Sequence, residues 1–409
     1  MKHTLAGHHA PATTTGESGR IIAVDLARLI AVLGMIAEHL LLGDAPEFVL
    51  TPITGFPSTL FAVLGGVSVA LSIHRFRDSG QHLRAALTVA VRGVLIAAIG
   101  LILSLAPTFV VVILVYYGVT MVLLAVLVNL RSWMLLTLAI LLVILGPQLN
   151  IAVFKAANPE RIGELPLTSP GEFLQSVAFT GMYPAITWLG YMIVGLLVGR
   201  WIIAHRSQNR RATGSRLAII GCALLLVGVS SDLLSRPAVI DTLSDGHPSY
   251  KPDLAAWVVH QQFGHPLEGG WIALVNAAPH SGSTADMIRT IGAAVAILGI
   301  LLWITANNRP MNFPMRALQR AGGAPLTIYV AHILSLAFMG AILSGSGSAG
   351  EVPWWALGPG AIALQYLGIC VLGAVLAGLN RRGPLETAVS WATRSIVGCI
   401  TLKTPRGVR

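Results

Sequence analysis

The first long apolar run of the sequence, residues 21–42, carries four polar side chains that are costly to place in a membrane. They are Asp25, Arg28, Glu38 and His39. An ionised group near the centre of a bilayer costs a few kcal/mol, so such groups face the interior of a helix bundle or a water-filled cavity. At about 100° per residue, Asp25, Arg28 and His39 fall within about 60° of one another on a helix. The run therefore predicts a helix with one polar stripe, on which His39 lies about 21 Å from Asp25.

His39 is the residue of this stripe that is best suited to chemistry. An imidazole titrates near neutral pH and can act as a base, an acid or an acyl carrier. Glu38 cannot orient it along the same face, because the two side chains point about 100° apart, so an orienting group must come from another helix or from Asp44. The same pattern also fits a purely structural interpretation. In that case His39 is a solvated helix end, and Asp25 pairs with Arg28 as a structural ion pair.

Two further histidines are candidates to converge with His39. His332 lies in the apolar run 325–343, about 10 Å along its predicted helix, and Tyr329 precedes it by one turn. His280 lies in the sequence NAAPHSGS, just before another apolar run. A buried histidine that is satisfied by a backbone carbonyl is an equally good interpretation of His332.

The sequence gives little support for a metal site. His247, His260 and His265 share one predicted loop, but they lack the HExxH or paired-cysteine spacing that holds zinc. We therefore expect no metal ion.

The helices that must position these residues are visible as ten apolar runs, each long enough to cross about 30 Å of hydrocarbon. They are residues 21–42, 57–73, 85–106, 107–130, 132–154, 184–204, 217–234, 287–306, 325–343 and 354–379. Of the 409 residues, 55% are hydrophobic and 11% are charged, whereas a soluble domain carries about 25% charged residues. The sequence thus excludes an ordinary soluble enzyme and predicts an all-α, polytopic integral membrane protein with about ten transmembrane helices.

The positive charges predict the orientation of the chain. The net charge is +10, and most of the 27 Lys and Arg residues fall in alternate short loops, so both termini are predicted to be cytoplasmic. The sequence has no basic block with interleaved aromatic residues, so we expect no nucleic-acid partner.

Three segments are predicted: a polar cytoplasmic segment 1–20, one transmembrane domain 21–382 with outer loops 155–183 and 235–286, and a basic cytoplasmic tail 383–409. Within the tail, residues 383–395 are predicted to form a short interfacial helix that carries Trp391.

Six stretches of the chain resemble a known family when they are taken in order. They are GRIIAVDLARLIAVLGMIAEHL, GFPSTLFAVLGGVSVALSI, YPAITWLGYMIVGLLVGR, APHSGSTADMIRTIGAAVAILG, GGAPLTIYVAHIL and RRGPLE, which extend from Arg20 to Glu386. They resemble bacterial, particularly actinobacterial, membrane proteins related to the lysosomal heparan-α-glucosaminide N-acetyltransferase. One departure is that the relatives usually have a Gly-Arg-Ser-like stretch where this chain has Phe56 after Gly55.

The resemblance implies a multi-helix acyltransferase that passes an acyl group, expected to be acetyl, from cytoplasmic acyl-CoA to a glycan or lipid-linked sugar of the cell envelope. It implies His39 as base or acyl carrier, with Asp25 and Arg28 organising the cytoplasmic half. His280 and His332 lie in the stretches PHSG and LTIYVAH of this chain, which resemble sequences found in that family. Arg75, Arg77 and Arg84 would suit the phosphates of CoA, although the positive-inside rule alone also accounts for this cluster.

The expected location is the plasma (inner) membrane, with membrane lipids as partners and an oligomer possible. Two other functions remain open at this stage. One is a proton-coupled transporter or lipid flippase that uses the same intramembrane polar stripe. The other is a membrane scaffold without catalytic activity, in which the ion pair and the histidines only fix helix packing.

Overall fold

The computed structural model describes residues 21–41, 45–157, 165–205, 209–246, 258, 264–266, 269–306, 311–345 and 353–402. Within these ranges, all regular elements are helices. The predicted segment 1–20, Asp44, His247, His260 and residues 403–409 of the tail lie outside them.

The helices follow one another along the described residues in this order. They are α1 (Ile22–Leu41), α2 (Glu47–Leu50), α3 (Phe56–Asp78), α4 (His82–Leu103), α5 (Ile113–Leu127), α6 (Ser132–Ala157), α7 (Pro170–Gln175), α8 (Ala185–Ala204), α9 (Arg210–Gly246), α10 (Ile272–Val275), α11 (Thr284–Ile304), α12 (Phe313–Gly322), α13 (Pro325–Gly345), α14 (Gly358–Gly378) and α15 (Pro384–Leu402). A π-helical turn, Ser176–Thr180, follows α7 directly.

The predicted all-helical, polytopic membrane fold is confirmed. In the part of the chain that the structure describes, eight helices are long and apolar enough to cross a membrane: α3, α4, α6, α8, α9, α11, α13 and α14. The other two predicted spans also form helices. They are α1, which carries the charged residues Asp25, Arg28 and Glu38, and α5, which has only 15 residues.

The predicted span 107–130 is wrong at its start. The chain leaves α4 at Leu103 and becomes helical again only at Ile113. At 1.5 Å per residue, the 15 residues of α5 extend about 22 Å, which is shorter than the roughly 30 Å of hydrocarbon. Non-helical backbone is tolerated at membrane depth only where protein or a wet cavity surrounds it. Residues 104–112 meet this condition, because most of them line the cavity described below.

Two helices are longer than the sequence predicts. The span that is predicted to end at residue 234 continues as α9 to Gly246, through Pro237, into the predicted loop 235–286. The predicted tail helix 383–395 is α15, which continues to Leu402 and packs one face against α4. Hydropathy detects only the apolar part of a helix, so the polar continuation of α9 is missed, whereas the continuation of α15, residues 396–402, is apolar. Loop 155–183 likewise contains α7 and the π-helical turn.

Helix α3 forms the centre of the bundle, and it packs against α8 with almost no side chain between the two backbones. A Cβ atom added at Gly195 would lie 1.9 Å from the Val63 carbonyl oxygen, and one at Gly66 would lie 2.0 Å from that of Met192. Only glycine permits such an approach. Helices α1 and α11 also pack on α3, whereas α9 and α14 expose large apolar side chains. The central helices thus give α1 a rigid support.

Two ends of the bundle are distinguished below. The outer end is the end that holds His39, Gly55 and His280. The inner end is the end that holds Asp25 and Gly322, where a Cβ atom at Gly322 would lie 1.9 Å from the Asp25 carbonyl oxygen. This contact fixes α12 against the first turns of α1.

Candidate functional site

A cavity of about 1300 Å³ opens at the outer end of the bundle. Its wall is formed by the end of α1, the non-helical segment 104–112, the outer part of α9 and the loop before α11. The polar and aromatic side chains in this wall are Glu38, His39, Glu47, Thr51, Thr54, Phe56, Ser104, Thr108, Phe109, Tyr183, Asp232, Arg236, His280 and Arg289. The cavity thus reaches His39 from the outer end.

His39 and His332 are joined directly, although 293 residues separate them along the chain. The distance from Nδ1 of His39 to Nε2 of His332 is 2.9 Å, and the two ring planes are inclined by only 7°. The other ring nitrogen of His332, Nδ1, lies 2.6 Å from Oε1 of Gln365 on α14. The amide of Gln365 donates to Oγ of Ser335 at 3.2 Å, and Ser335 donates to the carbonyl oxygen of His332. Three helices therefore contribute to one hydrogen-bonded chain, which we call the histidine relay.

The directions of these hydrogen bonds determine which nitrogen of His39 carries a proton. Because Oε1 of Gln365 accepts, Nδ1 of His332 must donate, and in the neutral ring Nε2 is then an acceptor. His39 consequently donates from Nδ1 and keeps a lone pair on Nε2 when it is neutral. That atom makes no hydrogen bond to the described residues, and His39 lines the cavity. The relay thus holds His39 in the tautomer that a base or nucleophile requires.

Glu38 is oriented away from this relay, as its position on α1 requires. Its Oε1 accepts a hydrogen bond from Nε2 of His280 at 2.9 Å and another from the backbone N–H of Gly55 at 3.2 Å. Both partners are held in left-handed backbone conformations, with φ of 59° at His280 and 80° at Gly55. Burial alone would lower the pKa of His280, but the Glu38 carboxylate outweighs it, and the net pKa is raised. Glu38 and His280 form a second polar pair beside His39.

Phe56 is covered by an arginine from another helix. The guanidinium of Arg289 lies 4.8 Å from the centre of the Phe56 ring. The same guanidinium donates to Oδ1 of Asp286 at 2.8 Å, one turn earlier on α11. The cavity wall thus contains a cation close to Phe56, although it comes from a different part of the chain.

The inner end of α1 carries the other polar pair that the sequence singles out. Arg28 donates to Oδ1 of Asp25 at 2.8 Å and to Oγ of Ser68 on α3 at 2.6 Å. The amide of Gln319 on α12 lies 3.5 Å from the second carboxylate oxygen of Asp25. Asp25 is only 3% exposed and the side chain of Arg28 is 21% exposed, so the carboxylate is the more deeply buried member of the pair.

The arginines considered for CoA phosphates lie far from the histidines. Arg75 and Arg77 are at the inner end of α3, and Arg84 is in the first turns of α4. By helical rise, the 21 residues from Phe56 to Arg77 extend about 32 Å. Arg84 stacks 5.1 Å from the ring of Phe76 and donates to Gln81, while Arg75 is exposed. The structure does not bring this group together with His39.

The structure also adds residues that sequence reasoning missed. Gln365 is a single amide in an apolar run, and such a group inside a span is itself a signal that it has a polar partner. Tyr329, noted only as a neighbour of His332, accepts a hydrogen bond from the backbone N–H of Ile113 at 3.2 Å and so fixes the start of α5. Nothing in the sequence pairs Arg289 with Phe56, because that contact depends on how α11 packs against α3.

Among the residues that the structure describes, no group of three His, Cys, Asp or Glu side chains could hold a metal ion. The one described histidine of the loop considered for zinc, His265, stacks on Phe154 with ring centres 3.7 Å apart. Burial lowers the pKa of His265.

The fold and the site together define a polytopic membrane protein with a histidine relay at the base of an outer cavity. The family model described as heparan-alpha-glucosaminide N-acetyltransferase, catalytic, matches residues 20–233. This match covers more than half of the 409 residues, and the chain belongs to that family. The family indicates a membrane acetyltransferase-type function, with acetyl groups that derive in general from acetyl-CoA. No curated protein matches the chain.

Proposed function

We propose that this protein transfers an acetyl group from cytoplasmic acetyl-CoA to a glycan or lipid-linked sugar of the cell envelope, with His39 as the reacting residue. The observation that carries the proposal is the histidine relay, which leaves Nε2 of His39 unprotonated on a residue that lines an outer cavity, in a member of an acetyltransferase family.

The chemistry follows from this geometry in two forms. As a base, Nε2 of His39 takes the proton from an acceptor hydroxyl or amine while the acceptor oxygen or nitrogen attacks the thioester carbonyl. The C–S bond breaks, and the proton then passes to the CoA thiolate. As an acyl carrier, Nε2 itself attacks the thioester, releases CoA, and gives the acetyl group to the acceptor in a second step.

The separation of the two ends bears on the choice between these forms. Arg75, Arg77 and Arg84 at the inner end supply the charge that CoA phosphates require, about 30 Å from the cavity by helical rise. An extended acyl-CoA or a carrier step must therefore bridge much of the membrane. In this proposal the inner end faces the cytoplasm, both termini are cytoplasmic, and Asp25 with Arg28 organises the inner half of α1.

The test is acetyl-CoA binding and CoA release by the purified protein, compared between the wild type and His39→Ala. We expect saturable binding in both proteins and turnover that falls about 100- to 10,000-fold in the variant. A matched control is His205→Ala, which removes a histidine that caps α8 at its inner end and does not line the outer cavity. This control should turn over like the wild type.

Mass spectrometry of the protein after a pulse of acetyl-CoA separates the two chemical forms. An acetyl group on His39 indicates a carrier, and its absence during turnover indicates a base. If a well-folded protein binds no acetyl-CoA, the proposed function is wrong.

A further inference from the structure

The outer cavity contains two Asp–Arg pairs that the chemistry of His39 does not use. In the first, Arg289 donates to Asp286, and in the second, Arg236 donates to Asp232. In both pairs the partners are on the same helix, α11 or α9, and one turn apart. Both arginines line the cavity, and neither lies in the segment 20–233 that the family model matches.

Each aspartate also accepts a hydrogen bond from the backbone, and most N–H donors of its arginine are unused within the described residues. Asp286 accepts from the backbone N–H of Gly282 at 3.1 Å, and Asp232 accepts from that of Ala277 at 2.9 Å. A guanidinium has five N–H donors, and each arginine gives only one of its terminal nitrogens to its carboxylate. Within the described residues, the Nε atoms of both arginines are buried without a hydrogen-bond partner. An unused donor on a buried nitrogen is costly unless a ligand fills it.

The two arginines lie at different depths of the same wall. A Cβ atom at Gly228 on α9 would lie 2.7 Å from Cβ of Arg289, so Arg289 is level with Gly228. Arg236 is eight residues further along α9, about 12 Å closer to the mouth by helical rise. Its side chain is 32% exposed, against 11% for that of Arg289. The deeper arginine lies against Phe56, the residue after Gly55, and Gly55 contacts Glu38 beside His39.

From this arrangement we propose that Arg236 and Arg289 bind an acidic acceptor, a sugar that carries a phosphate or a carboxylate. The planar fork of a guanidinium matches the oxygens of either group, and a buried arginine is well suited to bind them. Arg236 receives the anionic group at the mouth, and Arg289 holds it next to the polar pair of Glu38 and His280. This inference rests on the proposed function for the identity of the acceptor, but binding itself can be measured without turnover.

The experiment measures binding of four probes to the full-length protein in detergent: glucose, glucose 6-phosphate, glucuronate and inorganic phosphate. We expect both acidic sugars to bind at least about tenfold more tightly than glucose, because charged hydrogen bonds to arginine are strong. The comparison of glucose 6-phosphate with glucuronate shows which anionic group the site prefers. Inorganic phosphate that binds as tightly as glucose 6-phosphate would overturn the assignment to a sugar acceptor.

Variants test whether the two arginines are responsible. Arg289→Gln and Arg236→Gln should each weaken binding of the acidic sugars by about tenfold or more and leave glucose unchanged. Arg289→Lys keeps the charge but loses the fork, so its effect should be smaller. The matched control is Arg394→Gln, an exposed arginine on α15, which should bind like the wild type.

Two controls keep the result independent of folding and of the proposed function. Arg289→Gln leaves Asp286 without its cation, so its thermal unfolding is recorded, and the more exposed Arg236→Gln gives the same test with less risk to the fold. Acetyl-CoA binding is measured in parallel. Tight binding of acidic sugars without acetyl-CoA turnover would support the site and contradict the transferase. Equal binding of glucose and the acidic sugars, or wild-type affinity in both Gln variants, would overturn the inference.

Discussion

The two ends of α1 present similar polar residues in opposite surroundings. At the outer end, His39 and Glu38 make their hydrogen bonds to distant parts of the chain, His332 on α13 and His280 before α11, and both line an open cavity. At the inner end, Asp25 pairs with Arg28 on the same helix, and Gly322 packs directly against its backbone. The outer cluster lines the cavity, whereas Asp25 and Arg28 do not line it, and Asp25 is almost fully buried between α1, α3 and α12.

This difference teaches how to assign roles to polar groups in a membrane span. The free-energy cost of placing a charged group in lipid indicates that both clusters face away from lipid, but it does not distinguish a catalytic role from a structural one. Access does separate them, because a base must reach its substrate and a structural ion pair must be shielded from competing water. On this criterion we propose that the outer end is the reactive one and that the inner end supports α1.

The largest effect that tests this comparison is expected from His39→Gln. The substitution keeps a hydrogen-bonding side chain but removes the free ring nitrogen, so turnover should fall about 100- to 10,000-fold while the thermal unfolding midpoint stays close to that of the wild type. Acetyl-CoA turnover and thermal unfolding of the purified variant check both parts. Turnover within a factor of a few of the wild type would remove His39 from the chemistry.

The next effect belongs to the inner end and should appear in stability. Asp25→Ala leaves the largely buried Arg28 without its carboxylate, which should cost about 3 kcal/mol. Turnover per folded molecule should change far less than in His39→Gln. The double variant Asp25→Ala/Arg28→Met removes both charges and should recover most of the lost stability. Unfolding in detergent measures the stability, and an Asp25→Ala protein that is stable but inactive would contradict the assigned support role.

A smaller effect is expected from Gln365→Leu, which acts through the relay. Without Oε1, Nδ1 of His332 no longer has its acceptor, and the tautomer that leaves Nε2 of His39 unprotonated is no longer favoured. Turnover should fall roughly 10- to 100-fold, with the loss mainly in kcat rather than in KM. Gln365→Glu keeps an acceptor at this position and should restore much of kcat. If Gln365→Leu and Gln365→Glu behave alike, Gln365 does not position the base.

Much of the fold was predictable from the sequence, because the bilayer demands long apolar helices and apolar runs are directly visible. The exceptions have physical causes. The start of α5 was missed because residues 107–112 are apolar yet lie in a non-helical segment beside the cavity, and hydropathy does not report backbone conformation. The end of α9 was missed because its last turns are more polar than a span, and the tail helix α15 was ended too early although its last residues, 396–402, are apolar.

The site was only partly predictable. The polar stripe on α1 follows from spacing within one helix, and the sequence therefore singles out Asp25, Arg28 and His39. The partner of His39 lies 293 residues away, and a contact of that kind depends on the packing of α1, α13 and α14 rather than on local spacing. The same limit applies to Arg289, whose contact with Phe56 arises only from tertiary packing.

The smallest effect concerns the second polar pair of the outer end and is visible in the pH dependence of stability. The pKa of His280 is raised in the folded protein: burial opposes the shift, and Glu38, with a further contribution from Asp286, outweighs both burial and Arg289. A raised pKa contributes stability that is fully present below the unfolded pKa, about 6.5, and is lost as the pH rises through the folded value. Glu38→Gln keeps an amide oxygen for Gly55 and His280 but removes the charge, so it should reduce this loss.

Thermal unfolding from about pH 6 to about pH 9 measures the slope, which should be clearly smaller in Glu38→Gln than in the wild type. His265→Gln is the matched control, because burial lowers the pKa of His265 and its contribution to stability changes only below about pH 6.5. That control should keep the wild-type slope above pH 6.5. An unchanged slope in Glu38→Gln would mean that the Glu38–His280 pair is not charged in the folded protein, and that only the histidine relay distinguishes the outer end of α1 from the inner one.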